Sequence, residues 1–266
     1  MLLAITRAPM RWDGGVIVRR MFGSWHVLAV ADDRLTRMSE SPDGLNLSHS
    51  PFTALDQGDR GIGVFASVED SRRRVTLRRS LNSGSSLYYT VTAIGELICG
   101  TRVSALRGAG VALEEDRKRL PEFFTYCFVC PPATLFKDVH LLTMDETLIV
   151  EERDGAWRTV HRSVLQLPDL RPSSSTDFAA EGAAVLTAAM GELGDLDSRT
   201  AVLLSGGVDS SVLSCLALRQ GYRHPTFGTS YPFERPEADI ETTYASSAAG
   251  IRPRQPGVRL LRNGRP

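Results

Sequence analysis

Residues 201–211 read Ala-Val-Leu-Leu-Ser-Gly-Gly-Val-Asp-Ser-Ser. Four apolar residues run into a glycine pair, and a helical pattern follows. A strand, a turn and a helix start in that order aim backbone N–H groups and a positive helix end at an anion. Gly206 and Gly207 lack Cβ atoms, so their amides can approach phosphate oxygens closely. Ser205, Ser210 and Ser211 offer hydroxyls. Asp209 adds a carboxylate at the edge of the same loop. Beside bound phosphates it requires an intervening cation, and Mg²⁺ is the natural one. The expected ligand is the pyrophosphate part of ATP. The lysine of a Walker A motif is missing, which removes the main support for a kinase-like or ordinary ATPase reading.

The elements around the loop suit that task. From Asp177 the pattern is helical, with Phe178, Val185, Leu186, Met190 and Leu193 expected on one face. A strand over 201–204 and a helix over 209–220, closed by Gly221, come next. A strand over 225–230 and a helix over 237–249 follow. Such alternation means a parallel α/β sheet, which binds ligands at the carboxyl ends of its strands. Residues 251–266 hold five arginines, three prolines, two glycines and no acidic residue. They have no usable hydrophobic period, so the sheet is expected to have two strands only. Its open edge would invite association, and a homo-oligomer is among the expectations.

Residues 1–160 read as mostly β. Apolar runs recur at 15–18, 24–31, 61–68, 74–77, 87–93, 96–100, 147–150 and 157–160. Turn signals separate them at Asp13-Gly14-Gly15, Pro42-Asp43-Gly44, Asn82-Ser83-Gly84 and Asp154-Gly155. This spacing predicts hairpins in a sandwich or layered α+β domain. A helix is expected over 114–124, with Pro121 limiting its length. Residues 163–176, rich in Pro and Ser, read as a linker. The organisation is a first domain over 1–162, a linker, a second domain over 177–250 and an atypical tail.

Formal net charge is zero over 266 residues, and 42% of them are hydrophobic. Neither nucleic acid nor an anionic membrane is expected as a partner. No apolar run approaches membrane-span length, and the start has no signal-peptide layout, so a soluble cytoplasmic protein is expected. Cys127 and Cys130 form a C-x-x-C pair. No further ligands stand at zinc spacing, and Pro131-Pro132 prevents a thioredoxin-like helix start, so buried thiols in an apolar strand are expected. Gly61-Ile-Gly63-Val-Phe-Ala66 mimics a dinucleotide fingerprint without its helix, and reads as a strand. Arg72–Arg74 and Arg78-Arg79 read as a solvated strand edge. The histidines form no ligand spacing.

The 205–210 loop resembles the PP-loop of the ATP pyrophosphatases, which split ATP between the α and β phosphates. Pro132-Ala-Thr-Leu-Phe-Lys-Asp-Val-His-Leu-Leu142 resembles a "P-x-T-L-F-K-x-I-x-x-L" segment, and Ser86-Leu-Tyr-Tyr89 is similar to "P-L-Y-Y". Together with the order of the domains, these segments resemble the asparagine synthase family, which includes β-lactam synthetases and lasso-peptide cyclases. The resemblance implies an α+β Ntn-hydrolase-like layered β domain, then the start of an α/β PP-loop domain. It implies that Ser205, Gly206, Gly207, Asp209 and Ser210 hold pyrophosphate and Mg²⁺. The backbones of Leu203 and Thr229 would line the adenine. The implied reaction adenylates a small-molecule or peptide carboxylate. Ammonia or an amine then displaces AMP.

Two departures qualify that likeness. Glutamine-using members carry a cysteine directly after the initiator Met. Here Leu2 stands there and no cysteine precedes Cys99, so no glutaminase activity is expected. The family's second ATP-contacting loop, "S-G-x-G-x-D-E", does not occur, and the chain from Gly250 resembles a frameshifted or truncated end. A non-catalytic nucleotide-binding or interaction remnant is the alternative. A tRNA-modifying PP-loop enzyme would call for a basic surface, which a neutral chain lacks.

Overall fold

The strands of the amino-terminal half bury one face or both. They run β1 (Leu2–Thr6), β2 (Val16–Phe22), β3 (Trp25–Ala31), β4 (Thr36–Ser41), β5 (Gly44–His49) and β6 (Val64–Glu69). Then come β7 (Arg74–Arg79), β8 (Tyr88–Val91) and β9 (Leu97–Gly100). Two helices, α1 (Val103–Gly108) and α2 (Leu120–Tyr126), precede β10 (His140–Leu141), β11 (Glu146–Arg153) and β12 (Ala156–Val164). The computed structural model describes residues 1–13, 15–31, 35–50, 62–81, 83–164, 178–192, 202–221, 226–230 and 259–262. The chain divides into two units, Met1–Leu170 and Arg171–Pro266.

The first unit holds two six-stranded sheets, ordered β10-β8-β9-β1-β3-β2 and β12-β11-β7-β6-β5-β4. Neighbours in both pair antiparallel. This unit is a β-rich, mostly antiparallel α+β fold, compatible with the layered domain expected. Buried and part-exposed residues alternate strictly along β6, so one face covers a core. One core cluster joins Met1, Leu3, Ile5, Val27, Ala29, Leu97 and Cys99 of one sheet to Leu45, Leu47, Val64, Ala66, Val75, Leu77, Leu148 and Val150 of the other. A second cluster lies on the opposite face of β1, where Leu2 and Ala4 meet Leu28, Val30, Ile98, Leu106 and Val139.

One buried charge anchors β11. Glu146 is fully buried and pairs with Arg162 of β12. It also accepts hydrogen bonds from the Thr143 backbone N–H and hydroxyl at 2.6 and 2.7 Å. A buried carboxylate persists only with partners of this kind.

Several expectations need correction. The arginines of 74–79 do not form a sheet edge: β7 lies between β11 and β6. Val75 and Leu77 drive it inward. Arg79 donates to the Leu142 carbonyl at 2.8 Å, while Arg74 and Arg78 take the other face. There Arg74 meets Glu151 at 2.7 Å, and the Arg78 guanidinium lies 5.8 Å from the centre of the Phe65 ring. The helix expected from 114 begins later, because Glu115 bridges Phe136 and the Asp116 side chain accepts from the Lys118 N–H in a short 3-10 turn. Pro121 does not limit α2. It occupies the first turn, where no N–H is needed. Cys127 and Cys130 are exposed and lie in no strand. Cys127 ends α2 in the left-handed region with φ 62°, and the prolines after Cys130 cannot donate to a ladder.

In the second unit, α3 (Phe178–Glu192) precedes β13 (Val202–Leu203), α4 (Val208–Arg219) and β14 (Thr226–Ser230). The expected apolar face of α3 is not buried as a stripe. Phe178 and Val185 are 67% and 68% exposed, and only Met190 joins a core cluster, with Leu216 and Ala217 of α4. Leu193, the 237–249 helix and residues 165–176 lie outside the described residues. The expected count of two strands also fails: β15 (Arg259–Arg262) pairs parallel with β14, giving the order β13-β14-β15. Strand pairing uses backbone groups, which an arginine-rich segment supplies as well as any other.

All three tryptophans (Trp12, Trp25, Trp157) belong to the first unit, so their fluorescence reports on it alone. Leu3→Ala removes a fully buried side chain between the sheets. It is expected to cost about 2–5 kcal/mol in urea unfolding followed by tryptophan emission. A loss under about 0.5 kcal/mol, the scale of a surface change, would contradict this packing.

Candidate functional site

The loop after β13 is shaped by its own serines. Ser205 Oγ and Ser210 Oγ lie 3.0 Å apart across the turn. The Ser205 backbone N–H donates to Ser210 Oγ at 3.2 Å, and the Gly207 N–H donates to Ser205 Oγ at 3.3 Å. The Ser210 hydroxyl donates to the Gly207 carbonyl at 3.2 Å. With these partners the Ser210 hydroxyl has filled its donor and acceptor capacity. The two hydroxyls therefore clamp the turn. Gly206 sits at φ 84°, where a side chain would be strained.

The free capacity lies at the start of α4. Gly207 is its N-cap, with extended backbone at φ −72° and ψ 163°, and no side chain caps the helix. A helix start leaves its first N–H groups without intrahelical partners. The amides of Val208, Asp209 and Ser210 fall in that first turn, and Ser211 already donates to the Gly207 carbonyl at 3.1 Å. Val208 is the residue that sequence reasoning missed. Its apolar side chain gave no signal, and only its position at the helix start does. Asp209 is exposed in the first turn. A carboxylate there is also favourable toward the helix dipole, with no ligand at all.

Leu203 is 74% exposed at the end of β13 and pairs in register with Phe227. Thr229 lies further along β14, opposite Leu261. Because β13 and β14 are parallel, the Leu203 and Thr229 backbones and the loop all fall toward one end of the sheet, the carboxyl end. The parallel register thus places Leu203, Thr229 and the loop toward the same end of this sheet. Among the described residues, no group of three His, Cys, Asp or Glu side chains could hold a metal ion. A cation at Asp209 would need its other ligands from elsewhere, and phosphate oxygens with water suit Mg²⁺.

In the amino-terminal unit neither position 2 nor Cys99 presents a reactive thiol. Leu2 is buried at 1% exposure in the second core. Cys99 stands opposite Leu3 on β9, and burial pushes its thiol up to about 12. A thiol so raised is not a thiolate near neutral pH.

Residues 182–251 match the model of the asparagine synthase family. The matched segment takes in most of α3, β13, the serine–glycine loop, α4 and β14. It supports a family whose members are ATP-dependent amide ligases. No curated protein matches the chain. Among the described residues no helix is long and apolar enough to cross a membrane.

Gly206→Ala is expected to strain the clamped turn by about 1–2 kcal/mol. Exchange of the hydrogen-bonded amides of Ser205, Gly207 and Ser211 should then quicken roughly 5- to 30-fold, while tryptophan-reported unfolding of the first unit stays unchanged. Unchanged exchange would mean that the turn does not require a left-handed residue there.

Proposed function

We propose that the second unit binds Mg·ATP and carries the adenylating half of an asparagine synthase-type amide ligase. The observation that supports this best is the uncapped start of α4, with its amides open at the carboxyl end of β13, inside the matched segment. In this reading the amides of Gly206 and the first turn of α4 hold the pyrophosphate, and Gly207 is the N-cap that leaves the helix start open. Ser205 and Ser210 keep the turn in shape, and the Leu203 and Thr229 backbones line the adenine. Asp209 supplies the protein ligand to Mg²⁺, which when bound neutralises phosphate charge. The protein's contribution is positioning and electrostatic stabilisation.

The reaction would activate a small-molecule or peptide carboxylate as an acyl-adenylate and release pyrophosphate. Ammonia or an amine would then displace AMP. Residues 1–162 would be a degenerate Ntn-hydrolase-like domain, since Leu2 leaves no thiol to take ammonia from glutamine. The amine would therefore come free or within the substrate, as in lactam closure or peptide cyclisation. A cytoplasmic setting suits an ATP-using enzyme. The second reading is a non-catalytic nucleotide-binding or interaction remnant of that family.

Asp209→Ala is expected to weaken Mg·ATP binding. Loss of a charged contact worth ~1.5–3 kcal/mol corresponds to roughly 10- to 150-fold in Kd by calorimetry. An unchanged Kd would remove Asp209 from the site. Carboxylate-dependent exchange of pyrophosphate into ATP, tested with aspartate and related acids, separates the two readings. Exchange supports the ligase, and Mg·ATP binding with no exchange supports the non-catalytic module.

A further inference from the structure

The C-x-x-C pair has no part in the nucleotide reading, and the structure places it where thiol chemistry is open. Both residues are exposed, and Cys127 and Cys130 are three positions apart in a bent segment. Cys127 closes α2, its N–H donating to the Phe123 carbonyl at 2.7 Å, and its left-handed backbone turns the chain back. Glu122 of α2 accepts the Cys130 N–H at 2.7 Å. That bond draws the second cysteine back against the helix that ends in the first. The Ala133 N–H donates to the Cys130 carbonyl at 3.2 Å and fixes the exit. Both cysteine N–H groups are thus held by α2, the first by Phe123 and the second by Glu122, at the C-x-x-C spacing that reversible dithiol sites use.

We propose that Cys127 and Cys130 form a reversible dithiol–disulfide site whose substrate is a low-molecular-weight disulfide. The thiolate of Cys127 attacks one sulfur of the small disulfide. That S–S bond breaks, a thiolate leaves, and a mixed disulfide forms on Cys127. Cys130 then loses its proton to solvent and attacks Cys127 Sγ, releasing the second small thiolate. Two protein thiols are oxidised to one disulfide, and the small disulfide is reduced to two thiols. The order of attack follows from Glu122. Its carboxylate accepts from the Cys130 thiol and holds that thiol's pKa above the usual value. Cys127 has no such partner among the hydrogen bonds of this turn, so it is the entering nucleophile and Cys130 the resolving one.

The chain carries its own controls. Cys99 is buried and protonated, and Cys215 is exposed but belongs to α4 in the other unit. The native full-length chain is incubated with oxidised glutathione, alkylated and digested for mass spectrometry. The peptide holding residues 127–130 should lose two hydrogens and carry no glutathione, while Cys215 carries a glutathione adduct. Excess reduced glutathione should restore both thiols. Cys130→Ser should trap glutathione on Cys127. Cys127→Ser should leave Cys130 to be modified more slowly than Cys127 is in the converse variant. A glutathione on each cysteine of the native chain would overturn the proposal, as would two free thiols where Cys215 has reacted. Modification of Cys130 faster than Cys127 would overturn the order of attack. The native-chain measurement decides the main point even if a variant misfolds, and tryptophan emission reports folding of the unit concerned.

Discussion

The two-sided burial of β1 is the constraint on which the amino-terminal unit rests. All five of its residues are buried. Leu3 and Ile5 enter the core between the sheets, and Leu2 and Ala4 enter the one behind the first sheet. A strand in this position is apolar over Leu2–Ile5, its one polar residue, Thr6, donates its hydroxyl to the Ala8 carbonyl, and it must pair on both edges to satisfy its backbone. It does so with β3 and β9. The first sheet, the helix laid on it and the alignment of the facing sheet all follow from that placement. A side chain at position 2 is thereby committed to packing.

The second unit depends on a different physical fact. Parallel strands leave their carboxyl ends pointing the same way, and the loop at that end passes directly into α4. The helix begins without a capping side chain, while the serines that could have capped it bond to one another. Those two observations belong together. The hydroxyls shape the turn, and the amides of the first turn of α4 are left open.

Much of this was legible in the residues. The strand, turn and helix of 201–221 follow from an apolar run, two glycines and a closing Gly221, and the structure has them within a residue or so. The hairpin at Asp154-Gly155 was readable for the same reason, because turn chemistry is local. What escaped was decided at longer range. β1 shows no alternation because both of its faces are dry, so no period marks it. β7 looked like an edge because its arginines are conspicuous, yet Val75 and Leu77 fix its place. β15 has little pattern because backbone pairing asks for none. The C-x-x-C pair looked buried because its neighbours are apolar. The end of α2 and the Glu122 carboxylate put it outside.

The contact between Ser205 and Ser210 has a thermodynamic consequence for recognition. A loop already held by its own hydrogen bonds has met its ordering cost during folding, so little conformational entropy remains to be lost when an anion arrives. The same bonds set a condition on the ligand. Any phosphate oxygen that recruits either hydroxyl must replace an interaction that exists without it, whereas one that meets only the amides replaces water. Affinity here should therefore track how well a ligand fits the standing cradle, and a ligand that must reshape it would bind at a disadvantage.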